Sequence, residues 1–507
     1  MPVTEQVFPD LEAAGRRWRQ LVGTLAGAVL REQRWFQGRT ASLTEAGLLD
    51  HAFLPWPQPE ELVALNIVRL TVDGVPQDYY LPLILLPERP GLSTMARFTV
   101  GGTPYVLAEA SLSRRVNSAL LTELAKSGVM PGERGRFTFH PASPGRVRAV
   151  QALAGDSSNT VLHLHRDEVV KIIRRLQPGL SREVRLGLAL QDQAFIPAIH
   201  GHLVYEAPDG TPYTLAIWQE FLPNRGNLWN ALVAGLSGTM RAALAPGRPA
   251  DAGEMLTRWL WQIAPQLDAL AVLTADLHAA LARAAETAPF AEEDLERIIA
   301  RTRRRLADIS GRIAADPPDL WASALDLLNH LAGRLRDRAD LGVKIETHGD
   351  LHLGQVLVTE EGYAVLDLEG EPLLAPEAQA AHTTVLRDLA GLVRSFSYAG
   401  QVAYLSLVTG QRLPPPQAET ARFLAERFAD RAAEHLIRHY GAAITGRLPG
   451  LAPADPVVFM ELLDLCRLEK VVYEMAYELA NRPEWIPIPL EGLRRLLSGR
   501  LSAEGRR

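Results

Sequence analysis

A segment in the second half of the chain, residues 347–372, brings together side chains that could carry out phosphoryl transfer. Asp350 is followed five residues later by Gln355, and a second acidic cluster contains Asp367 and Glu369. Phosphoryl transfer needs a carboxylate that orients the acceptor hydroxyl and takes its proton, and oxygen ligands that hold Mg²⁺ against the phosphates. The spacing favours Asp350 as the base and Gln355 and Asp367 as metal ligands, with Glu369 as a further acidic contributor.

A β-hairpin is the element that must position these groups. Two short apolar runs, 356–358 and 363–366, are joined by the sequence TEEG, whose glycine is typical of a turn. The hairpin would bring the loop that carries Asp350 close to the acidic end that carries Asp367. Kinase sequences show the same order of catalytic Asp, metal-binding amide, hairpin and metal-binding Asp.

Each of these residues also has a structural interpretation when it is taken alone. His348 could be a structural histidine, Asp350 could cap a turn, and Asp367 could simply end a strand. Their combination around one hairpin favours the kinase interpretation over these separate alternatives.

The sequences HGDLHLGQVL, from His348, and VLDLEGEP, which contains Asp367, closely resemble those of the maltokinases. Maltokinases belong to the aminoglycoside-phosphotransferase-like group and transfer phosphate from ATP to the anomeric hydroxyl of maltose. The wider group usually has Asn where this chain has Gln355, whereas maltokinases have Gln, which favours this branch over antibiotic and choline kinases. The resemblance implies an α+β, bilobal, protein-kinase-like fold with an N-terminal cap subdomain, and ATP and Mg²⁺ as cofactors.

The expected nucleotide side lies earlier in the chain and lacks a G-x-G-x-x-G or Walker A pattern. The sequence GDSSNT, at 155–160, stands in that place, and similar loops in maltokinases precede a strand lysine followed by RRLQPG. Lys171 occupies the lysine position, and Glu183 could pair with it or be a first-turn helix acid. The sequence WQEFLP resembles a hinge that meets adenine. The nucleotide-side candidates are Ser157, Ser158, Asn159, Thr160, Lys171, Glu183, Gln219, Glu220 and Phe221.

The acceptor side is predicted on a helix that starts near residue 469 and ends in a segment similar to the maltokinase NRPxWxPIPL pattern. Rings and charged groups share one face of this helix, as a sugar site needs, although a half-exposed helix with snorkelling side chains would look the same. A second matching segment contains Arg387 and Asp388, of which Asp388 could brace the catalytic loop. The acceptor-side candidates are His348, His352, Arg387, Asp388, Lys470, Tyr473, Glu474 and Tyr477, with Asn481 on the same helix face.

A short N-terminal motif, RWFQGR at 34–39, is similar to the R-W-F-G-G-K motif of the maltokinase cap. It departs from that pattern at Gln37 and Arg39, and its role in this chain is left open.

Composition sets the class of protein. The 507 residues are 47% hydrophobic and 22% charged, which is typical of a globular protein, and the net charge of −6 argues against a surface built to hold nucleic acid. Cys466 is the single cysteine and excludes an intrachain disulfide and a cysteine-rich zinc site.

Without a signal-peptide pattern or an apolar run long enough to cross a bilayer, the chain is expected to be cytoplasmic. Expected partners are a small-molecule sugar, with no nucleic acid and no membrane, in a monomer or weak homodimer.

The first hundred or so residues are predicted to form short strands, with hairpin turns at Asp73-Gly74 and Gly101-Gly102. Three neighbouring strands are predicted in the sequences RVRAVQAL, TVLHLH and EVVKIIRRL, with turns at Gly155 and Arg166-Asp167.

The chain is predicted to change from strand-rich to helical near residue 223. We expect an N-terminal cap over 1–110, an intermediate lobe with the nucleotide strands and hinge over 111–223, and a helical lobe with the catalytic and acceptor sites over 224–507. The arginine run at 301–305 is expected to be a solvated helix face. Apolar residues at three- and four-residue spacing predict long helices over 254–283, 292–315, 321–338, 418–440 and 457–481.

The predicted reaction converts ATP and maltose to ADP and maltose 1-phosphate, a precursor for α-glucan and glycogen synthesis in the maltokinases. A kinase of another sugar, such as glucosamine, and a catalytically inactive kinase-like binding module remain as alternatives. A protein kinase is not expected, because the chain lacks a glycine-rich loop, D-F-G and A-P-E.

Overall fold

A computed structural model describes most of the chain, which divides into two compact units. One unit spans Met1–Asp192 and Pro197–Pro223, and the other spans Gln193–Ile196 and Asn224–Arg507. The first is rich in strands and the second in helices, so the predicted α+β class is confirmed. The separation of a cap at residue 110 stays a prediction. The described residues are 7–33, 35–36, 41–89, 94–141, 151–152, 159–165, 168–245, 251–313, 319–370, 382–411 and 413–504.

The first sheet of the strand-rich unit has the order β1-β6-β7-β5-β3-β2, with β4 also paired to β3. Its antiparallel hairpins turn at Asp73-Gly74 and Gly101-Gly102, as the sequence predicts, and all four residues have positive φ. Such turns match the twist of the strands they join. The strands are β1 (Val7–Phe8), β2 (Leu43–Phe53), β3 (Leu62–Val72), β4 (Val75–Tyr80), β5 (Leu83–Pro87), β6 (Ala96–Val100) and β7 (Thr103–Glu109).

Two helices, α1 (Leu11–Arg16) and α2 (Trp18–Arg31), precede β2, and α2 packs against the first sheet. The strand-only prediction for this region is wrong there, because Trp18, Leu21, Val22 and their apolar successors recur at helical spacing and are buried. Trp18 donates its indole N–H to Asn66 Oδ1 at 2.7 Å and so satisfies a buried polar pair.

The second sheet is antiparallel with the order β10-β11-β12-β14-β13-β9-β8. The three neighbouring strands predicted before residue 175 are confirmed as β10, β11 and β12, whereas their predicted turns lie outside the described residues. Helices α3 (Arg114–Ala125) and α4 (Arg182–Ala189) belong to the same unit. The strands are β8 (Val129–Pro131), β9 (Arg136–Pro141), β10 (Gln151–Ala152), β11 (Thr160–His165), β12 (Glu168–Ile172), β13 (Ile199–Glu206) and β14 (Pro212–Glu220).

The second unit is built from long helices, and the five predicted ones are confirmed with shifted ends. The helix predicted over 292–315 ends earlier, at Ser310. No helix in the described ranges is long and apolar enough to cross a bilayer. The helices are α5 (Leu228–Ala243), α6 (Ala252–Ala284), α7 (Glu292–Ser310), α8 (Leu320–Arg336), α9 (Leu386–Gln411), α10 (Pro415–Arg447), α11 (Pro456–Asn481) and α12 (Pro487–Glu504).

Two small sheets in the second unit hold the segment with the candidate catalytic residues. Their orders are β15-β18-β19 and β16-β17-β20. The predicted hairpin is confirmed as β18 and β19, which are antiparallel neighbours. The strands are β15 (Asn224–Asn227), β16 (Ala288–Pro289), β17 (Val343–Ile345), β18 (Val356–Thr359), β19 (Tyr363–Val365) and β20 (Thr383–Thr384).

A buried carboxylate joins the two sheets of the first unit. Asp50, on β2, accepts hydrogen bonds from the backbone N–H groups of Glu133, Arg134 and Gly135 in the β8–β9 turn, at 2.8, 3.1 and 2.6 Å. The hydroxyl of Tyr205, on β13, donates to the same carboxylate at 2.9 Å. Removing Asp50 would therefore leave the buried Tyr205 hydroxyl and three partly buried backbone N–H groups without this acceptor.

We expect Asp50→Ala to destabilise the first unit by about 3 kcal/mol or more, because each buried donor left without a partner costs about 1–3 kcal/mol. Tyr205→Phe, which removes one donor and keeps the carboxylate, should cost about 1 kcal/mol. Urea unfolding, with hydrogen exchange to locate the affected strands, measures both changes. Equal losses for the two variants would contradict the role given to Asp50.

Candidate active site

The backbone of the loop before β18 is fixed by one buried side chain from α9. Asp388 accepts a hydrogen bond from the N–H of His348 at 2.7 Å through Oδ2 and from the N–H of Gly349 at 2.9 Å through Oδ1. Gly349 has a φ of 90°, in the left-handed region where an L side chain is strained. The two hydrogen bonds hold the loop in this conformation and so determine where Asp350, the next residue, is placed.

A second layer of buried groups supports Asp388 from behind. His278, on α6, lies with Nε2 3.3 Å from Asp388 Oδ2 and with Nδ1 2.8 Å from the hydroxyl of Tyr440 on α10. Burial raises the pKa of Tyr440, so its hydroxyl stays protonated and can donate. Burial alone would also raise the pKa of Asp388, but the hydrogen bond from His278, the nearby imidazoles of His278 and His348, and the Gly349 N–H together lower it to about 2. Asp388 is therefore a carboxylate at neutral pH.

His348 has a structural position inside the loop. Its side chain is buried, its Nδ1 lies 3.3 Å from the N–H of Asp350, and its Nε2 lies 2.9 Å from the carbonyl oxygen of Leu366. Since Nδ1 accepts, Nε2 carries the proton and donates to that carbonyl. His348 thus ties the loop to the end of the hairpin, which brings together the two parts of the segment that the sequence predicts to meet.

Close packing of α9 against the same loop depends on a glycine. A Cβ built on Gly391 would lie 2.5 Å from the carbonyl oxygen of Leu351, far inside van der Waals contact. The N–H of Leu353 donates to the Ser395 hydroxyl, one helical turn further along, at 3.3 Å. The helix therefore holds the loop by direct backbone approach as well as through Asp388.

The candidate metal ligands Gln355 and Asp367 are hydrogen-bonded to each other. Gln355 donates from Nε2 to Asp367 Oδ2 at 3.0 Å, which orients the amide and distinguishes its carbonyl oxygen from its nitrogen. Asp367 has a φ of 64°, a left-handed conformation that Asp adopts more readily than most residues. Carboxylate and amide oxygens are ligands that suit Mg²⁺, so Gln355, Asp367 and the half-buried Glu369 fit this ion.

The negative charges of Asp350 and Asp367 both act on His352 and favour its protonated form. Burial, the larger effect, lowers the pKa of His352, so its imidazole is neutral at neutral pH. Its Nδ1 accepts from the N–H of Gly354 at 3.0 Å and begins the short 3₁₀ turn Leu353–Gln355. His352 shapes the backbone that leads to Gln355.

Helix α11 provides a cation for the candidate base. Lys470 Nζ lies 3.1 Å from Asp350 Oδ1, and the same ammonium lies 4.8 Å from the centre of the Tyr473 ring. The ion pair uses Oδ1, so the second carboxylate oxygen of Asp350 lies outside it. Tyr477 continues the face, with its ring 6.5 Å from that of Tyr473. The structure thus brings three predicted acceptor-side residues together on one face of α11, with Lys470 in contact with Asp350.

Glu469, which precedes Lys470, is buried among arginines. Arg387 Nε donates to Glu469 Oε2 at 2.9 Å, and Arg301, on α7, forms a second ion pair with Glu469. Burial alone would raise the pKa of Glu469, but the positive charges of Arg387, Arg301 and Arg305 lower it to about 2. A cavity of about 10 Å³, enough for one water molecule, adjoins this cluster and is lined by Gly349, Arg387, Cys466, Glu469, Lys470 and Tyr473.

The arginine run at 301–305 is only partly the solvated face that we expect from the sequence. Arg303 and Arg304 are exposed, but Arg301 pairs with Glu469 and Arg305 lies over the Tyr473 ring at 5.1 Å. Residues four apart share one face of a helix, and here that face is turned toward α11.

Glu474 and Asn481 occupy different environments from the other predicted acceptor-side residues. Glu474 is buried and accepts two hydrogen bonds from Arg394 of α9, at 2.9 Å from Nε and 2.7 Å from Nη2. Burial outweighs the positive charge of Arg394 and raises the pKa of Glu474. Asn481 is exposed and donates to the carbonyl oxygen of Tyr477. These contacts give Glu474 a structural partner and place Asn481 on the surface.

In the first unit, the candidate phosphate lysine forms a buried ion pair. Lys171 Nζ, on β12, lies 2.7 Å from Glu183 Oε2, in the first turn of α4. Both alternatives for Glu183 therefore hold at once, since it pairs with Lys171 and is a first-turn acid. Protein kinases use a comparable lysine–glutamate pair to hold nucleotide phosphates.

The remaining nucleotide-side candidates lie partly outside the described residues. Ser157 and Ser158 are among those outside, whereas Asn159 and Thr160 contact Arg174 with their side chains, at 3.2 and 2.9 Å. On β14, Gln219 pairs with Val169 in the sheet, and Glu220 bonds to the backbone of Ala198. The ring of Phe221 stacks on His163 at 4.1 Å.

The cap motif RWFQGR is described only at Trp35 and Phe36. Trp35 lies under the guanidinium of Arg174, whose Cζ is 4.9 Å from its ring centre. Arg174 is the first residue of RRLQPG, is buried, and also contacts Glu109 at 3.1 Å. Two motifs that lie far apart in the sequence therefore meet within the first unit. Arg34 lies outside the described residues, and so do Gln37 and Arg39, where the motif departs from the maltokinase pattern.

Comparison with known proteins returns glucosamine kinases, although no protein-family profile matches the chain. The chain is 25% identical to a glucosamine kinase of Mycolicibacterium smegmatis over 370 residues, which is 72% of this chain and 84% of that protein. It is 29% identical to a glucosamine kinase of Streptacidiphilus jiangxiensis over 240 residues, 46% of this chain and 49% of that protein.

Solved structures extend the likeness to nearly the whole chain. A glucosamine kinase in complex with glucosamine, ADP and inorganic phosphate aligns with a TM-score of 0.59 and 21% identity over 95% of this chain and 99% of that one. Another crystal form of glucosamine kinase aligns with a TM-score of 0.62 over the same shares. The chain has the glucosamine kinase fold. The predicted aminoglycoside-phosphotransferase-like fold class is thereby confirmed, and the maltokinase specificity stays a prediction.

Several groups that organise the site in this kinase fold were missed by sequence reasoning. His278 and Tyr440 support Asp388 from α6 and α10, and Glu469 gathers Arg301 and Arg387. The sequence contains one signal for them: each is a polar residue at a helix position where the periodicity predicts an apolar one. The spacing along one helix cannot show which distant residue completes the pair.

We expect Asp388→Asn to destabilise the second unit by about 2–3 kcal/mol at pH 7. The pKa of Asp388 falls from an ordinary 3.8 to about 2 on folding, so the carboxylate stabilises the fold fully above pH 4. This stabilisation is lost as pH falls toward 2. The difference in unfolding free energy between variant and wild type should therefore be constant near neutrality and shrink below about pH 4.

Denaturant unfolding from pH 7 to the lowest pH at which the wild type stays folded measures this difference. The matched control is Asp326→Asn, at an exposed position of α8, which should change stability by less than about 0.5 kcal/mol. A penalty for Asp388→Asn that grows as pH falls would contradict the assignment.

Proposed function

We propose that this protein is an ATP-dependent sugar kinase that transfers the terminal phosphoryl group of ATP to a sugar hydroxyl. One observation carries the proposal: a loop fixed by Asp388 presents Asp350, and the hairpin that follows it presents the hydrogen-bonded pair Gln355 and Asp367. The likeness to glucosamine kinases over most of the chain supports the same activity.

Asp350 is the residue that orients the acceptor in the proposed reaction. Its carboxylate accepts the hydrogen bond of the sugar hydroxyl and takes its proton as the oxygen attacks phosphorus. Lys470, 3.1 Å from Oδ1, pairs with this carboxylate and restricts its rotation. The loop hydrogen bonds to Asp388 hold the backbone, so most of the rate enhancement from these residues is positioning.

We assign the residues that would hold the nucleotide to the first unit and those that would hold the metal ion to the second. In the first unit, Lys171, oriented by Glu183, is assigned to the phosphates of ATP. In the second unit, Gln355 and Asp367, with Glu369 as a further acid, would hold Mg²⁺. When bound, this ion neutralises charge on the phosphate oxygens. The oriented Gln355 amide keeps its carbonyl oxygen as the ligand.

Glucosamine is the first candidate acceptor, because the relatives found by sequence and by structure are glucosamine kinases. Maltose is the second candidate, and the catalytic, RRLQPG and C-terminal motifs that resemble maltokinases favour it.

The charge of the described cavity also bears on this choice. Glu469 is the one acid among its six lining residues, and arginines already bind it, whereas Arg387 and Lys470 contribute positive charge. The cavity holds only one water molecule and so is not the sugar site itself, but an ammonium group that approached these side chains from beside Asp350 would be repelled unless it binds elsewhere or as the neutral amine. A neutral disaccharide has no such penalty.

A coupled ADP-release assay over glucosamine, N-acetylglucosamine, glucose and maltose tests the acceptor directly. We expect glucosamine to give the highest kcat/KM, and NMR of the product locates the new phosphate. If maltose is phosphorylated faster, the neutral-acceptor alternative replaces the first candidate. If no sugar stimulates ADP release while ATP still binds, the chain is an inactive kinase-like binding module and the proposed activity is wrong.

We expect Asp350→Asn to reduce kcat by a factor of about 10² to 10⁴, because general-base catalysis contributes roughly this much. Binding of ATP, followed by calorimetry, should be little changed, since Asp350 is assigned to the acceptor. Asp326→Asn serves again as the exposed control and should keep full turnover. Near-normal turnover by Asp350→Asn would rule out its role as the base.

A further inference from the structure

A cluster of metal-binding side chains lies on the outer side of two helices of the second unit, away from the residues assigned to catalysis. His435 and His439, on α10, converge on Asp268 of α6. His435 Nε2 is 2.6 Å and His439 Nδ1 is 2.9 Å from the same carboxylate oxygen, Oδ1. We propose that these three residues form a binding site for a divalent transition-metal ion of the Zn²⁺ type.

The helix arranges the two imidazoles before any ion binds. Histidines at i and i+4 lie on one helix face, a spacing that zinc proteins use for a pair of ligands. The rings of His435 and His439 are stacked, with centres 4.2 Å apart and planes 7° apart.

The donor atoms are close to the spacing that tetrahedral zinc requires. With bond lengths of about 2.0–2.2 Å, ligand atoms around such an ion are about 3.3 Å apart. Asp268 Oδ1 would therefore move away from the two nitrogens by about half an ångström. All three side chains are partly exposed, from 25% for His435 to 46% for Asp268, so small rotations can supply this movement.

The donor set selects the class of ion. Two imidazole nitrogens and one carboxylate oxygen suit Zn²⁺, Ni²⁺ and Cu²⁺, whereas Mg²⁺ prefers oxygen ligands alone. The cluster shares no residue with Gln355, Asp367 and Glu369, which fit Mg²⁺. The same protein would thus have two metal sites with different preferences.

The position of the cluster indicates what the ion would do. Further along the same helices, Arg447 of α10 pairs with Asp276 of α6, and Tyr440 contacts His278. These contacts advance together along α6 and α10, so the two helices run parallel here. An ion bound by Asp268 and the two histidines would fasten these helices on their outer side, one residue from Tyr440. Its predicted effect is to stabilise the second unit.

The test uses the full-length protein, freed of metal, in a neutral buffer. Zn²⁺ is titrated in competition with a chromophoric chelator, and thermal unfolding is measured with and without Zn²⁺. We expect the wild type to bind one equivalent more than the double variant His435→Ala/His439→Ala, and only the wild type to gain the corresponding rise in unfolding temperature. Mg²⁺ should not reproduce the gain.

Two further variants make the result specific. Asp268→Asn keeps both histidines and should bind Zn²⁺ at least about tenfold more weakly, which also tests the site if the double variant folds poorly. His330→Ala, at an exposed position of α8, is the matched control and should bind like the wild type.

Equal Zn²⁺ stoichiometry and affinity in the wild type, the double variant and Asp268→Asn would overturn the proposal and leave the cluster as an ion pair between helices. This readout is independent of sugar phosphorylation. A protein without kinase activity could still bind the ion, and a kinase could lack it.

Discussion

The hydrogen bonds from Asp388 to the loop of Asp350 are the constraint on which the catalytic arrangement depends. Gly349 has a left-handed backbone conformation that residues with a side chain adopt only under strain, and the carboxylate of Asp388 accepts hydrogen bonds from its N–H and that of His348. Burying a carboxylate is costly, and the cost is offset because His278 supports it and Tyr440 supports His278. A chain of hydrogen bonds through three helices thus fixes one loop.

The same principle governs the α11 side of the site, where buried acids are matched with arginines. Glu469 binds Arg387 and Arg301, and Glu474 binds Arg394. Such pairs contribute little net stability compared with apolar packing, but removing one partner leaves a buried charge and is strongly destabilising. They therefore fix the position of α11 and, through it, of the Lys470 ammonium beside Asp350.

Local patterns in the sequence were sufficient for part of this arrangement. Periodicity and turn chemistry predict the long helices, the β18–β19 hairpin and the two glycine-bearing turns. Each of these patterns involves residues that are close together in the sequence. Helix α2 was missed although its apolar spacing was present. The partners of Asp388, the division of 301–305 into two faces, and the contact of Trp35 with Arg174 could not be predicted, because each depends on residues far apart in sequence.

The charge around Asp350 connects these structural pairs to substrate choice. Lys470 lies beside Asp350, and Arg305 and Lys470 both approach the Tyr473 ring. The negative ring face is thereby already engaged by cations and offers little to the ammonium group of an amino sugar. Homology and local electrostatics consequently point to different acceptors. In the proposed reaction, the amine of an amino sugar would therefore meet groups outside this cluster, and residues beyond the loop of Asp350 would decide which sugar is the acceptor.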